Sequence, residues 1–158
     1  MPHIEEQLEI AAARADVFRF CHDITAWPDW HDQIVSAELL TPPPLRSGSL
    51  LRIDEEVGGT VFSWDAEYIS FQMPTGSRLK VIDAARSSPF RVGSELSWKF
   101  EPAGSGTLFS WRWDYRPYGF WASLADKFGR RAATQRAIKR SLVKLKELIE
   151  SGRRARLN

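Results

Sequence analysis

The chain has 158 residues and a mass of 18.1 kDa, one ordinary domain by length. Its 43% hydrophobic and 27% charged residues specify a folded domain with a core able to enclose a ligand. The single cysteine, Cys21, excludes an intrachain disulfide and a cysteine-built zinc cage, and no stretch approaches the ~20 apolar residues of a membrane span. The net charge of +2 is unevenly spread: residues 127–158 hold eleven Lys or Arg against Glu147 and Glu150, a net +9, while residues 1–126 carry −7. The two readings of this are a solvated helix face with a basic tail, and a surface for anionic lipid, nucleic acid or an acidic partner. The acidic, alternating N-terminus does not read as a signal peptide, so the expected setting is the cytoplasm.

Ile4 to Ile10 alternates as a half-buried strand, with Glu6 interrupting the apolar face. Asp16 is placed to cap a short helix carrying Val17, Phe18, Phe20 and Cys21. A second short segment, Ile24 to Asp32, contains Trp27, Pro28 and Trp30. Ile34 to Leu40 reads as a strand, and Pro42, Pro43 and Pro44 stop regular pairing. Alternating segments follow at Leu50–Val57, Thr60–Phe71, Arg78–Ala85, Gly93–Glu101 and Thr107–Tyr115. Turn signals such as Gly58-Gly59 and Gly104-Ser105-Gly106 separate them, which predicts an antiparallel meander.

The last element is a long helix, about Phe120 to Ser151, ended by Gly152. Its apolar stripe runs through Leu124, Phe128, Ile138, Leu142, Leu145 and Ile149, and on a helical wheel Arg131 and Gln135 fall inside it. Residues 1–151 thus form one α+β domain, in which a curved antiparallel sheet of about seven strands wraps a long C-terminal helix, with two short helices after the first strand; residues 152–158 are a basic tail. Such a wrap leaves a gap where sheet and helix diverge, a place for a ligand.

This layout is the helix-grip fold. The sequence resembles the START/Bet v 1-like (SRPBCC) superfamily, most closely its polyketide cyclase/dehydrase branch. The resemblance rests on Ile4–Ile10 with Ala11-Ala12-Ala13-Arg14-Ala15-Asp16-Val17-Phe18, on Trp27-Pro28-Asp29-Trp30, on Pro44-Leu45-Arg46-Ser47-Gly48-Ser49, on Gly106-Thr107, and on the closing segment Leu142 to Glu150. These are framework residues. The superfamily includes cyclases, lipid carriers, hormone receptors and binding modules, so the fold leaves the function open.

Strand alternation turns Phe62, Trp64 and Tyr68, then Trp98 and Phe100, then Phe109, Trp111, Trp113 and Tyr115 toward the helix. With Phe128, Arg131 and Gln135 from the helix, these rings (Phe100 aside) are the expected ligand-binding set. They either fill the core or line a pocket for a flat hydrophobic molecule. Arg131 and Gln135 either reach a rim or enter a wet pocket, where Arg131 would polarise a carbonyl or enolate oxygen. Asp83 shares a face with Leu79 and Val81, and Glu55 with Leu51, Ile53 and Val57; both are expected at a wet rim. A buried carboxylate at either position would serve as a general base. His22 and His31 flank the tryptophan pair, and either is a candidate acid or base near neutral pH. Trp27 and Trp30 read as braces for the short helices, and Cys21 as a core thiol.

The function expected first is binding of a small hydrophobic or aromatic molecule. The resemblance also implies an aromatase/cyclase-type enzyme acting on a poly-β-keto chain, with Arg131, Tyr68, Asp83 and His31 as the catalytic candidates. A third reading is a lipid carrier that touches anionic membranes through its basic C-terminal segment. No metal site, no nucleotide cofactor and no nucleic-acid partner are expected: the three histidines lack zinc spacing, and no P-loop or G-x-G-x-x-G is present.

Overall fold

A computed structural model of the chain describes residues 2–116, 124 and 129–155. Strand β1 (His3–Ile10) leads into helix α1 (Arg14–Cys21), a 3-10 turn (Ile24–Ala26) and the one-turn helix α2 (Trp27–Trp30). Six strands follow: β2 (Ile34–Leu39), β3 (Leu50–Val57), β4 (Thr60–Gln72), β5 (Gly76–Ala84), β6 (Glu95–Ala103) and β7 (Gly106–Asp114). Helix α3 (Arg131–Glu150) closes the described part of the chain. The seven strands make one antiparallel sheet in the order β1-β7-β6-β5-β4-β3-β2. Each hairpin-linked strand pairs with the next, and β1 returns to lie beside β7. This is the curled half-barrel around a helix that the alternation and the turns predicted.

Period-two patterning delivers the core. Leu51 and Ile53, Trp64, Ala66 and Tyr68, Leu79 and Val81, Trp98 and Phe100, and Phe109 and Trp111 are all buried on one face. Helix α3 covers part of that face with Ala137, Ile138, Ser141, Leu142, Leu145 and Ile149. It ends in a Schellman motif: the Arg153 N–H bonds the Leu148 carbonyl, the Gly152 N–H bonds that of Ile149, and Gly152 takes φ +91°. Asp16 does not cap α1. The N-cap is Ala13, and Asp16 sits in the first turn, where it pairs with Arg19. The expected helix start at Phe120 and the side chain of Phe128 lie outside the described residues.

Two polar interruptions of apolar faces answer one another. Glu6 on β1 accepts a 2.6 Å hydrogen bond from the Gln135 side chain on α3, and Lys139 stands 3.8 Å from the same carboxylate. Other helix cations reach acidic groups on the body: Arg140 and Lys144 meet Asp32, and just past the helix Arg153 meets Asp29. Within α3, Lys146 meets Glu150, whose carboxylate also accepts the Ala11 N–H. Four of the eleven cations of residues 127–158 therefore meet acidic groups of residues 1–126. These pairs are partly exposed, and each contributes little by itself.

Gly106 opens β7 where the backbone of β1 ends. A Cβ built there would stand 2.5 Å from the Ile10 carbonyl oxygen. The neighbouring Thr107 is buried and donates its hydroxyl to the Ala12 carbonyl at 2.8 Å. Gly106→Ala is therefore expected to cost about 1–3 kcal/mol through backbone displacement, read as a lowered midpoint in urea denaturation.

Candidate functional site

The inner face of the sheet extends beyond the packed part of α3. Toward the N-terminal end of that helix, residues 129–133 and Arg136 are exposed, and Thr134 and Gln135 are half-buried. Between this uncovered stretch, helix α2 and the sheet lies a cavity of about 120 Å3. Its floor is apolar: Ile53, Trp64, Leu79, Leu96, Trp98, Trp111 and Trp113. Trp27, Trp30 and His31 form one side, Phe90 and Pro89 another, and Arg130, Thr134 and Ile138 face them from the helix. Phe90 stacks on Trp64 with ring centroids 5.2 Å apart, and so holds the loop after β5 against the wall.

Two titratable groups on the wall sit far from their ordinary ionisation. Glu55 is buried, and burial holds its carboxyl up at about 8, opposed by a 3.3 Å hydrogen bond from the Trp64 indole. It is therefore protonated near neutral pH. His31 is pushed down to about 3 by burial, against the opposing pull of neighbouring Asp32. Its Nδ1 accepts the Gln33 N–H at 3.2 Å, so the neutral ring carries its proton on Nε2. The cavity thus offers an un-ionised acid and an un-ionised imidazole.

Among the expected ligand-binding residues, Trp64, Trp98, Trp111, Trp113 and Tyr115 line the cavity. Phe109 and Tyr68 do not; both are fully buried. Tyr68 packs against His22 and Phe71, and burial drives its hydroxyl above the ordinary phenol range. Phe62 is half-buried near the start of β4, outside the cavity. Gln135 turns to Glu6 instead of the void. Arg131 falls within the helical stripe but begins α3 beyond the end of its buried face, so it is exposed and off the wall. The helix presents Arg130 and Thr134 to the cavity instead.

Asp83 is corrected by a β-bulge. The register slips between Asp65 and Ala66, whose partners are Asp83 and Val81. The extra residue, Ile82, breaks the alternation, so Asp83 leaves the face of Leu79 and Val81 and is exposed. The wet-rim position of Glu55 is corrected in the other direction, because β2 pairs across it and Ile34 is its partner in the ladder. Trp27 and Trp30 brace the short helices and also line the void. The remaining motif residues are structural. His22 is buried, donates from Nδ1 to the Phe18 carbonyl and accepts from the Ser77 hydroxyl, both at 2.7 Å, and burial lowers it to about 4. Cys21 is wholly buried, and burial raises its thiol well above the usual range, which makes it unreactive. Among the described residues no three His, Cys, Asp or Glu side chains are grouped to hold a metal ion, and no helix is long and apolar enough to cross a membrane.

Residues 1–150 match the family described as polyketide cyclase / dehydrase and lipid transport, and the chain belongs to that family. A candidate polyketide cyclase of Streptomyces cyaneus is 27% identical over 116 residues, 72% of each chain. A START superfamily protein from Mycobacterium smegmatis superposes with a TM-score of 0.73 at 18% identity, covering 93% of this chain and 98% of that one. The di-domain aromatase/cyclase StfQ of the steffimycin biosynthetic pathway superposes with a TM-score of 0.72 at 18% identity, covering 94% of this chain and 50% of that one. At these identities the structures share the helix-grip fold, and the chemistry must be argued from the wall itself.

The buried acid and the two buried histidines set the pH dependence of stability. Between about pH 4.5 and 8 folded Glu55 keeps a proton that the unfolded chain releases, so stability falls as pH rises through that window. Below pH 6.5 the unfolded chain takes up protons that folded His22 and His31 refuse, so stability falls as pH drops. The melting temperature is expected to peak near pH 6.5. Glu55→Gln should flatten the fall between pH 6.5 and 8 and steepen the rise between about pH 4.5 and 6.5, where Glu55 opposes the histidines. An alkaline limb identical in the variant would place Glu55 in water.

Proposed function

We propose that this protein binds a small apolar molecule built on one or more rings, in the cavity between β-sheet and α3. The observation that carries this reading is the void itself, which persists among large side chains that would be expected to fill it. Its size is comparable to the ~150 Å3 apolar cavity that accommodates benzene in an engineered protein. Flat rings suit the walls, since Trp64, Phe90, Trp98, Trp111 and Trp113 supply broad faces. Naphthalene is expected to bind with a change in tryptophan emission. Thr134→Phe, which fills the helix side of the void, should weaken that binding at least about tenfold while the melting temperature moves little. No binding by the unaltered protein would remove the reading.

A second reading, aromatase/cyclase-type chemistry on a poly-β-keto chain, draws support from the family and from Glu55 with His31. Aldol condensation needs a base to take an α-proton and an acid to protonate the acceptor carbonyl; dehydration needs the same two roles. Glu55, protonated, is the acid of the pair, and neutral His31 is the base once its tautomer shifts and frees Nε2 to accept the α-proton. Arg131, Asp83 and Tyr68 are off this wall and take no part in the proposal. Glu55→Gln is expected to lower turnover of a poly-β-keto thioester by about 10²–10⁴-fold while naphthalene binding is kept. Undiminished turnover would take Glu55 out of the chemistry. Lipid carriage with docking on anionic membranes has weaker support, because Lys139, Arg140, Lys144, Lys146 and Arg153 already have acidic partners within the protein.

A further inference from the structure

Acidic side chains elsewhere in this protein meet cations near the surface: Asp65 meets Arg52, Asp114 meets Arg112, and Asp32 meets Arg140. Glu55 does not. It is 5% exposed, and its neighbours across the ladders with β2 and β4 are Ile34 and Phe62. No cation among the described residues bears on it; burial and the Trp64 indole alone set its state. One carboxyl oxygen, Oε2, accepts that indole N–H at 3.3 Å. The other, Oε1, meets no donor among the described residues, and it opens on the cavity that Glu55 lines. A buried carboxyl with an idle oxygen is costly, and such groups in folded proteins ordinarily have a partner.

The rest of the lining is of one electrostatic kind. Trp64, Phe90, Trp98, Trp111 and Trp113 surround the cavity, and the faces of such rings carry the negative part of their quadrupole, which attracts a cation. The other titratable or charged groups on the lining are His31, Tyr115 and Arg130. His31 is kept uncharged by burial, and Arg130 is exposed on the helix side, where water screens it.

We infer that the cavity selects, among small ring molecules, those that carry a primary amine, with Glu55 as the partner of the nitrogen and the tryptophan rings as the seat of the hydrocarbon. This inference rests on the ligand-binding reading above and specifies its ligand class. An ammonium group supplies N–H donors for Oε1 together with the positive charge that a buried carboxylate lacks. A hydroxyl would also donate to Oε1, but it would leave the carboxyl un-ionised and the rings without a cation. The size of the cavity suits a single ring with a short aminoalkyl arm. The proton balance is fixed: the amine arrives from water as ammonium, Glu55 starts protonated, and the bound ion pair holds one proton fewer. That proton leaves the Glu55 carboxyl for the buffer.

The test compares benzylamine with ethylbenzene, which has nearly its size and shape, by isothermal titration calorimetry on the full chain at pH 7. An ammonium group entering an apolar cavity without a counter-charge binds far more weakly than the matching hydrocarbon. With Glu55 to receive it, benzylamine is expected to bind at least as tightly as ethylbenzene. It should release about one proton, read as the difference in heat between phosphate and Tris buffers, whereas ethylbenzene should release none. Its affinity should rise about tenfold from pH 6 to 7, as the Glu55 proton competes less, while that of ethylbenzene stays level. Glu55→Gln keeps the shape of the protonated acid. It is expected to lower the ratio of benzylamine to ethylbenzene affinity at least about tenfold and to abolish the proton release. Weaker binding of benzylamine than of ethylbenzene by the unaltered protein, or binding without proton release, overturns the inference while the apolar cavity stands. So does an unchanged ratio in the folded variant. If neither molecule binds, the ligand-binding reading falls, and the inference falls with it.

Discussion

The cavity exists because two surfaces of unequal length are packed together. The aromatic face of the sheet runs on through Trp64, Trp111 and Trp113, whereas the buried face of α3 stops at Ala137. Up to that residue the helix closes the bowl with Ile138, Leu142, Leu145 and Ile149. Beyond it no helix side chain is fully buried among the described residues, and the rings are left facing a hollow. Aromatic side chains are stiff and broad, so they do not collapse to fill such a space as a cluster of methionines would. The hollow is thus a consequence of where one amphipathic stripe runs out of cover.

Burial in that hollow sets the chemistry of the groups facing it. The same desolvation that keeps Glu55 protonated keeps His31 neutral. Neither group has a charged partner on the wall to restore its ionisation, apart from the weak pull of Asp32 on His31. To these two un-ionised groups the helix adds one cation, Arg130.

The fold was legible in the residues because its determinants are local. Alternation in β3 to β7, the Gly-rich turns and the four-three stepping of Ile138, Leu142, Leu145 and Ile149 each depend on near neighbours in the chain. The site was only partly legible, because it depends on register and cover. Asp83 was read onto the inner face, and a single extra residue, Ile82, moved it out. Arg131 has the phase of the stripe but lies where none of the described residues covers the helix. Glu6 and Gln135 each looked anomalous alone; they are one contact between elements 129 residues apart. Glu55 was read as a rim residue because it stands near the end of β3, and only its pairing with β2 shows that it is enclosed.

The persistence of the void is the point on which the account stands, and xenon reports on it without any assumption about ligand chemistry. Crystals of the protein pressurised with xenon should show the atom bound between Trp98, Leu79 and Ile138, in contact with the indole faces and with little movement of the surrounding backbone. Anomalous maps empty at that position, with the rings interlocked across the bowl, would contradict the account.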